Sequence, residues 1–258
     1  MNFNAIDKKE TLAEKVANTV KEAIVSGEIK SGETISTEPE LAKQFNVSRA
    51  VIRDAAHMLM AWGLIEIRHG KGMYVTREMN SYFLEAISTI LRRKGTSLWE
   101  MQEYEQLLMP EVFARAAESC TDKQKSEIEQ RGQSYIDFIR AGKDNAAIQK
   151  ELFLGFIKVV FEAGNNRVFS LMGQIQQFLR ELRTISEDDG FEEQLTTLEE
   201  KSIRIMIEAV NSGDKVFAKK HVANVFRVGP DIEKIMRTVP MGQMVSIPAK
   251  IFLKDFVI

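Results

Sequence analysis

Residues 37–76, TEPELAKQFNVSRAVIRDAAHMLMAWGLIEIRHGKGMYVT, decide the fold. Thr37 and Glu40 stand at capping-box spacing, and Pro39 falls in the first turn, where its missing N–H removes no helical hydrogen bond. The helix PELAKQF ends after Phe45. Asn46-Val47-Ser48 makes a three-residue turn, and Ser48 is suited to cap the next helix with its hydroxyl. In that second helix Ile52, Ala55, Ala56, Leu59 and Met60 recur at i, i+3, i+4, i+7 and i+8, one continuous stripe for burial. Arg49, Arg53 and His57 recur at i, i+4 and i+8 on a different stripe. One edge anchors the helix and another presents cations. After Trp62-Gly63 the period changes from helical to alternating. Leu64-Ile65-Glu66-Ile67-Arg68 reads as a strand, His69-Gly70-Lys71-Gly72 as a turn, and Met73-Tyr74-Val75-Thr76 as the returning strand.

Working outward, Leu12, Ala13, Val16, Ala17, Val20 and Ile24 predict a helix over about 10–26, stopped by Gly27 and followed by the turn-rich connector SGEIKSGETIS. Helix, helix, turn, helix and hairpin is the winged helix-turn-helix order. From Met79 onward the chain reads as helices with short breaks, over 80–94, 98–119, 122–141, 145–163, 166–186, 191–211 and 214–236. Ser97 with Glu100 and Thr121 with Gln124 again have capping-box spacing. The expected fold class is therefore mainly α: an N-terminal winged helix-turn-helix (α+β) and a C-terminal all-α helical bundle. The domains read as 1–77 for the winged helix, 78–97 for a linker helix and 98–238 for the helical domain. The tail 239–258 cannot be one helix because of Pro240 and Pro248, yet Ile251, Phe252, Phe256, Val257 and Ile258 are apolar. It is expected to dock in extended form on its own domain or on a partner chain.

Composition bounds the function. The 258 residues suit two modest domains, and no apolar run is long enough to span a bilayer. The N-terminus MNFNAIDKKE has no signal-peptide core, and a single cysteine, Cys120, excludes an intrachain disulfide framework. A cytoplasmic protein without a membrane partner is expected. The net charge of −2 excludes a basic nucleic-acid coat, but residues 48–77 carry an excess of three positive charges. No nucleophile–base pair, Gly-rich phosphate loop or metal ligand set is present in the pattern, so an enzyme is not expected. The acidic residues at 187–189 and 192–193 read as solvated loop and helix-start charges.

The stretch from Ile24 to Val75, with Ser48-Arg49-x-x-x-Arg53 and the Gly70-Lys71-Gly72 wing, resembles the DNA-binding domain of the GntR family of bacterial regulators. The helical remainder is similar in length and break pattern to the FadR-type effector domain, with landmarks at Gly164-Asn165 and Ser212-Gly213-Asp214. The resemblance implies a homodimer on a double-stranded DNA operator. Thr37, Ser48, Arg49, Ala50 and Arg53 are then the contacts from the helix-turn-helix, and His69, Gly70 and Lys71 a wing tip in the minor groove. Either arginine could chelate a guanine edge or clamp a phosphate. His57 reads as a surface residue or a phosphate contact. Related members often carry arginine where this chain has Pro39, which implies a different operator.

Many FadR-type domains hold a metal through one Asp and three His. The resemblance places those positions at Leu152, Phe156, Ile203 and Val225, and the only histidine of the helical domain is His221. No metal cofactor is expected. With Met109 nearby, these side chains would make an apolar effector pocket, which favours a fatty acid or acyl-CoA as the small-molecule effector. The other reading is that the five side chains are packed core, in an effector-blind DNA-binding protein whose helical domain only dimerises.

Overall fold

The computed structural model describes residues 10–68, 72–76, 81–142, 145–182, 184–187, 192–247 and 251. The chain divides into two compact units, residues 1–87 and 88–258. The first contains α1 (Leu12–Ser26), β1 (Thr34–Ile35), α2 (Glu38–Phe45), α3 (Arg49–Ala61), β2 (Ile65–Arg68) and β3 (Gly72–Val75). The helix α4 (Ser81–Arg93) crosses the boundary between the units.

Local chemistry sets the helix ends of the first unit. Thr11 and Glu14 form a reciprocal capping box at the start of α1, with Thr11 Oγ1 accepting from the Glu14 N–H at 3.1 Å and the Glu14 carboxylate accepting from the Thr11 N–H at 2.7 Å. Gly27 ends the helix in the left-handed region at φ 83°, where a β-carbon would be strained. The strands form an antiparallel sheet in the order β1-β3-β2, with Ile65 opposite Val75 and Arg68 opposite Gly72. Ile65 and Ile67 share one face of β2, yet Ile65 lies in the core while Ile67, nearer the hairpin tip, is exposed. The core gathers Val16, Ala17 and Val20 of α1, Leu41 and Ala42 of α2, Ile52, Ala55, Ala56 and Leu59 of α3, and Ile35, Ile65, Met73 and Val75 of the sheet.

The second unit is helical: α5 (Leu98–Ser119), α6 (Asp122–Arg140), α7 (Ala146–Ala163), α8 (Arg167–Glu181), α9 (Glu192–Asn211), α10 (Lys215–Phe226) and α11 (Pro230–Thr238). Two predicted spans are corrected. The helix expected over 166–186 stops at Glu181, and Thr184–Glu187 is a strand, β4, paired in parallel with β5 (Met244–Ile247). The helix expected over 214–236 is two helices. Pro230 has no N–H to give to the preceding turn and disfavours helical backbone at Gly229, which caps α11 with φ −79° and ψ 172°.

The main core of this unit is contributed by α5, α6, α7, α9 and α10 and includes Phe113, Ile128, Ile136, Phe161, Met206 and Val222. A smaller cluster joins Leu98, Trp99 and Met101 to Ile232, Met236 and Met241. There the Leu98 N–H donates to the Val239 carbonyl at 2.8 Å and the Met241 N–H to Thr96 at 2.7 Å. Ile251 packs on this cluster; Phe252, Phe256, Val257 and Ile258 lie outside the described residues. No helix among the described residues is long and apolar enough to cross a membrane.

Candidate nucleic-acid interface

The turn between α2 and α3 sets the geometry. Asn46 ends α2 at φ 53°, a left-handed conformation that its short polar side chain tolerates better than most. Two residues later Ser48 returns to extended backbone, and its hydroxyl accepts from the Val51 N–H at 3.3 Å, starting α3. The first turn of α3 holds no acidic residue, so the positive end of its backbone dipole is not offset by its own side chains.

The α3 helix splits by face as its periodicity predicts. Ile52, Ala55, Ala56 and Leu59 are buried, while Ser48, Arg49, Ala50, Arg53, Asp54 and His57 are exposed. Arg49 and Arg53 therefore stand one turn apart on a helix clamped from behind, a form that fits a DNA groove. Arg53 does not stand alone: its Nη2 lies 3.3 Å from the Glu38 carboxylate of α2, with the two side chains 62% and 31% exposed. Sequence reasoning missed Glu38. Its partner lies fifteen positions away, and only the angle between α2 and α3 brings them together.

Thr37 is exposed at the start of α2, and both its N–H and its hydroxyl donate to the Glu40 carboxylate at 2.8 Å. Those donors, the backbone N–H first, hold the Glu40 carboxyl below the usual carboxylate range. A hydroxyl so engaged in capping keeps only its acceptor side for another partner. On the hairpin, Arg68 donates to Glu66 at 2.9 and 2.5 Å and lies over the Tyr74 ring at 4.4 Å. Sequence reasoning counted Arg68 only in the local excess of positive charge and did not read these two partners. The expected wing-tip contacts His69, Gly70 and Lys71 lie outside the described residues.

In the helical unit Met109, Phe156, Ile203 and Val225 are buried in one core, and Leu152 packs against it. All five thus belong to the large core of the helical unit. Among the described residues no group of three or more His, Cys, Asp or Glu converges as a metal site. His221 is spent locally, stacked on Phe217 at 3.9 Å with its Nδ1 2.8 Å from the Phe217 carbonyl.

Residues 12–75 match the family of bacterial regulatory proteins called gntR. An HTH-type transcriptional regulator of Mycobacterium tuberculosis is 26% identical over 165 residues, 64% of this chain and 66% of that protein. LutR of Bacillus subtilis, an HTH-type transcriptional regulator, is 32% identical over 99 residues, 38% of this chain and 45% of its own length. The Uxu operon regulator of Haemophilus influenzae is 24% identical over 164 residues, 64% of this chain and 59% of that protein. The matches therefore span less than two thirds of these relatives' lengths. The structure of a GntR protein from Streptococcus agalactiae shares the fold, with a TM-score of 0.64 at 18% identity over 86% of this chain and 99% of that one.

Proposed function

We propose, on the premise that residues 12–75 form a domain of the gntR family, that this chain is a homodimeric transcription regulator that reads an operator with α3 and senses a small molecule with its helical unit. The carrying observation is the division of α3 into a buried stripe and an exposed cationic edge at Arg49 and Arg53. Ser48 and Ala50 at the helix start and Thr37 before α2 complete the contact set on this side, and His69, Gly70 and Lys71 serve the minor groove. One winged helix offers few phosphate contacts, so a two-fold dimer on a two-fold site supplies the rest.

The test is a duplex selected by the wild-type chain from a random pool, then assayed by gel shift. Joint replacement Arg49→Ala and Arg53→Ala is expected to weaken binding by about a hundredfold or more while the dimer mass stays unchanged, each lost bidentate contact being worth roughly 1–3 kcal/mol. Unchanged binding refutes the assignment of α3 as the reading helix.

For the effector, the apolar character of Met109, Leu152, Phe156, Ile203 and Val225 supports a ligand with a hydrocarbon portion, a fatty acid or acyl-CoA. A ligand acts here only by binding the DNA-competent and incompetent arrangements unequally. The place of the same five side chains in or against one buried core favours a second reading, an effector-blind protein whose helical unit only dimerises.

A further inference from the structure

Three polar side chains meet inside the helical unit. Glu105 of α5 and Gln176 of α8 are only 3% and 1% exposed. Arg180, one turn beyond Gln176, donates through Nε and Nη2 to the two oxygens of Glu105, each at 2.8 Å. Gln176 Nε2 donates to Glu105 Oε1 at 2.7 Å. The Arg180 guanidinium lies over the Phe153 ring at 4.6 Å and near the Phe226 ring at 5.8 Å, and Gln102 holds the Phe226 carbonyl at 2.7 Å. Phe153 and Phe226 both pack with the core that contains Met109, Leu152, Phe156, Ile203 and Val225. The polar cluster is therefore set against the apolar group.

Stability does not explain it. A buried ion pair is seldom more stabilising than apolar side chains of the same volume, and this one leaves a debt beside it: Gln176 Oε1 is buried with no hydrogen-bond partner. The amide cannot simply be turned over, because that would set its oxygen against the Glu105 carboxylate. The cluster thus presents an acceptor, shut off from bulk water, that lacks a donor. Its charge is already balanced, since Arg180 is forked onto Glu105. A ligand carboxylate arriving there would face the Glu105 carboxylate in a dry site, whereas an N–H or O–H would satisfy Gln176.

We propose that Glu105, Gln176 and Arg180 form the head-group end of the effector site, and that it selects an amphiphile with an uncharged, hydrogen-bond-donating head over the matching carboxylate. This rests on the hydrocarbon-effector reading above, and within that reading it places a free fatty acid, a carboxylate at neutral pH, behind an amphiphile with a neutral head. Decanamide and decanoate share a chain and differ in the head, so the full-length protein is titrated with each by calorimetry at neutral pH. Decanamide binds about tenfold or more tighter than decanoate, the worth of one satisfied buried hydrogen bond against a repelled charge. Gln176→Leu removes the amide's advantage. Glu105→Gln frees the guanidinium to fork a carboxylate, so decanoate gains about tenfold while decanamide does not, a head-selective gain that apolar surface exposed by misfolding would not give. Equal binding of both compounds by the wild type, or an unchanged preference in Glu105→Gln, overturns the head-group assignment and leaves the hydrocarbon effector standing. Binding of neither compound overturns the hydrocarbon-effector reading itself, and this assignment with it.

Discussion

Arg53 is steered by Glu38 from the neighbouring helix, at 3.3 Å and largely in solvent. A pair so exposed stabilises the fold by about 0–1 kcal/mol, so its weight falls on where the guanidinium points. Glu38→Gln is expected to change unfolding stability by less than about 0.5 kcal/mol. It should nevertheless raise affinity for unrelated DNA and steepen the dependence of log K on log salt by about one phosphate contact, a slope change near 0.9. Fluorescence anisotropy across a salt series measures both; an unchanged slope would show that Glu38 does not compete with DNA for Arg53. Arg49 and Arg53 were legible in the sequence because helical period alone separates them from the buried stripe. Glu38 was not, since a contact between two helices depends on their crossing angle. Glu40 was legible, because its partner Thr37 is only three residues away. Its lowered carboxyl gives stabilisation that is present above the ordinary carboxylate pKa and lost as acid protonates it.

Three helix starts were read from sequence where a hydroxyl and a carboxylate or amide stand three apart, at Thr37 with Glu40, Ser97 with Glu100 and Thr121 with Gln124, while the same spacing at Thr11 and Glu14 was passed over. The departures have equally local causes. Gly229-Pro230 interrupts an apolar period that continues on both sides, so the period hid a break that the dipeptide announces. The β4 strand was hidden differently: its partner β5 lies in a tail whose two prolines suggested only an extended run. At Gly173 the missing side chain is what lets α8 approach α7. An added β-carbon would lie 2.8 Å from Phe161 Cγ and 2.9 Å from its Cβ, and Phe161 is itself buried. Gly173→Ala should gain roughly 1 kcal/mol in helix propensity and still be destabilising overall by about 1–3 kcal/mol. Urea denaturation followed by circular dichroism decides it, and a stabilised variant would mean that α8 can move off α7 without loss.

Each unit of the molecule has a core of its own, the first centred on α3 and the sheet, the second on α5 and α10. A fragment of residues 10–87 should therefore melt cooperatively by itself. If the helical unit dimerises the chain, that fragment should bind the selected operator about a hundredfold more weakly or worse, because the second half-site no longer acts as a tethered contact. Scanning calorimetry and a gel shift test the two parts separately. The division into a winged helix and a helical remainder was visible in the change of period after residue 76. The polar cluster at Glu105 was not, because α5 and α8 lie far apart in the chain and nothing in either helix announces the other. The pairing of residues 184–187 with 244–247 carries a further consequence. It draws α9, α10 and α11 into a closed ring of chain, shut by four residues on each side. Such a clasp spends loop entropy that only a finished bundle can offset, so it fastens late in folding, and its amides should trade protons for deuterons well before those of α5.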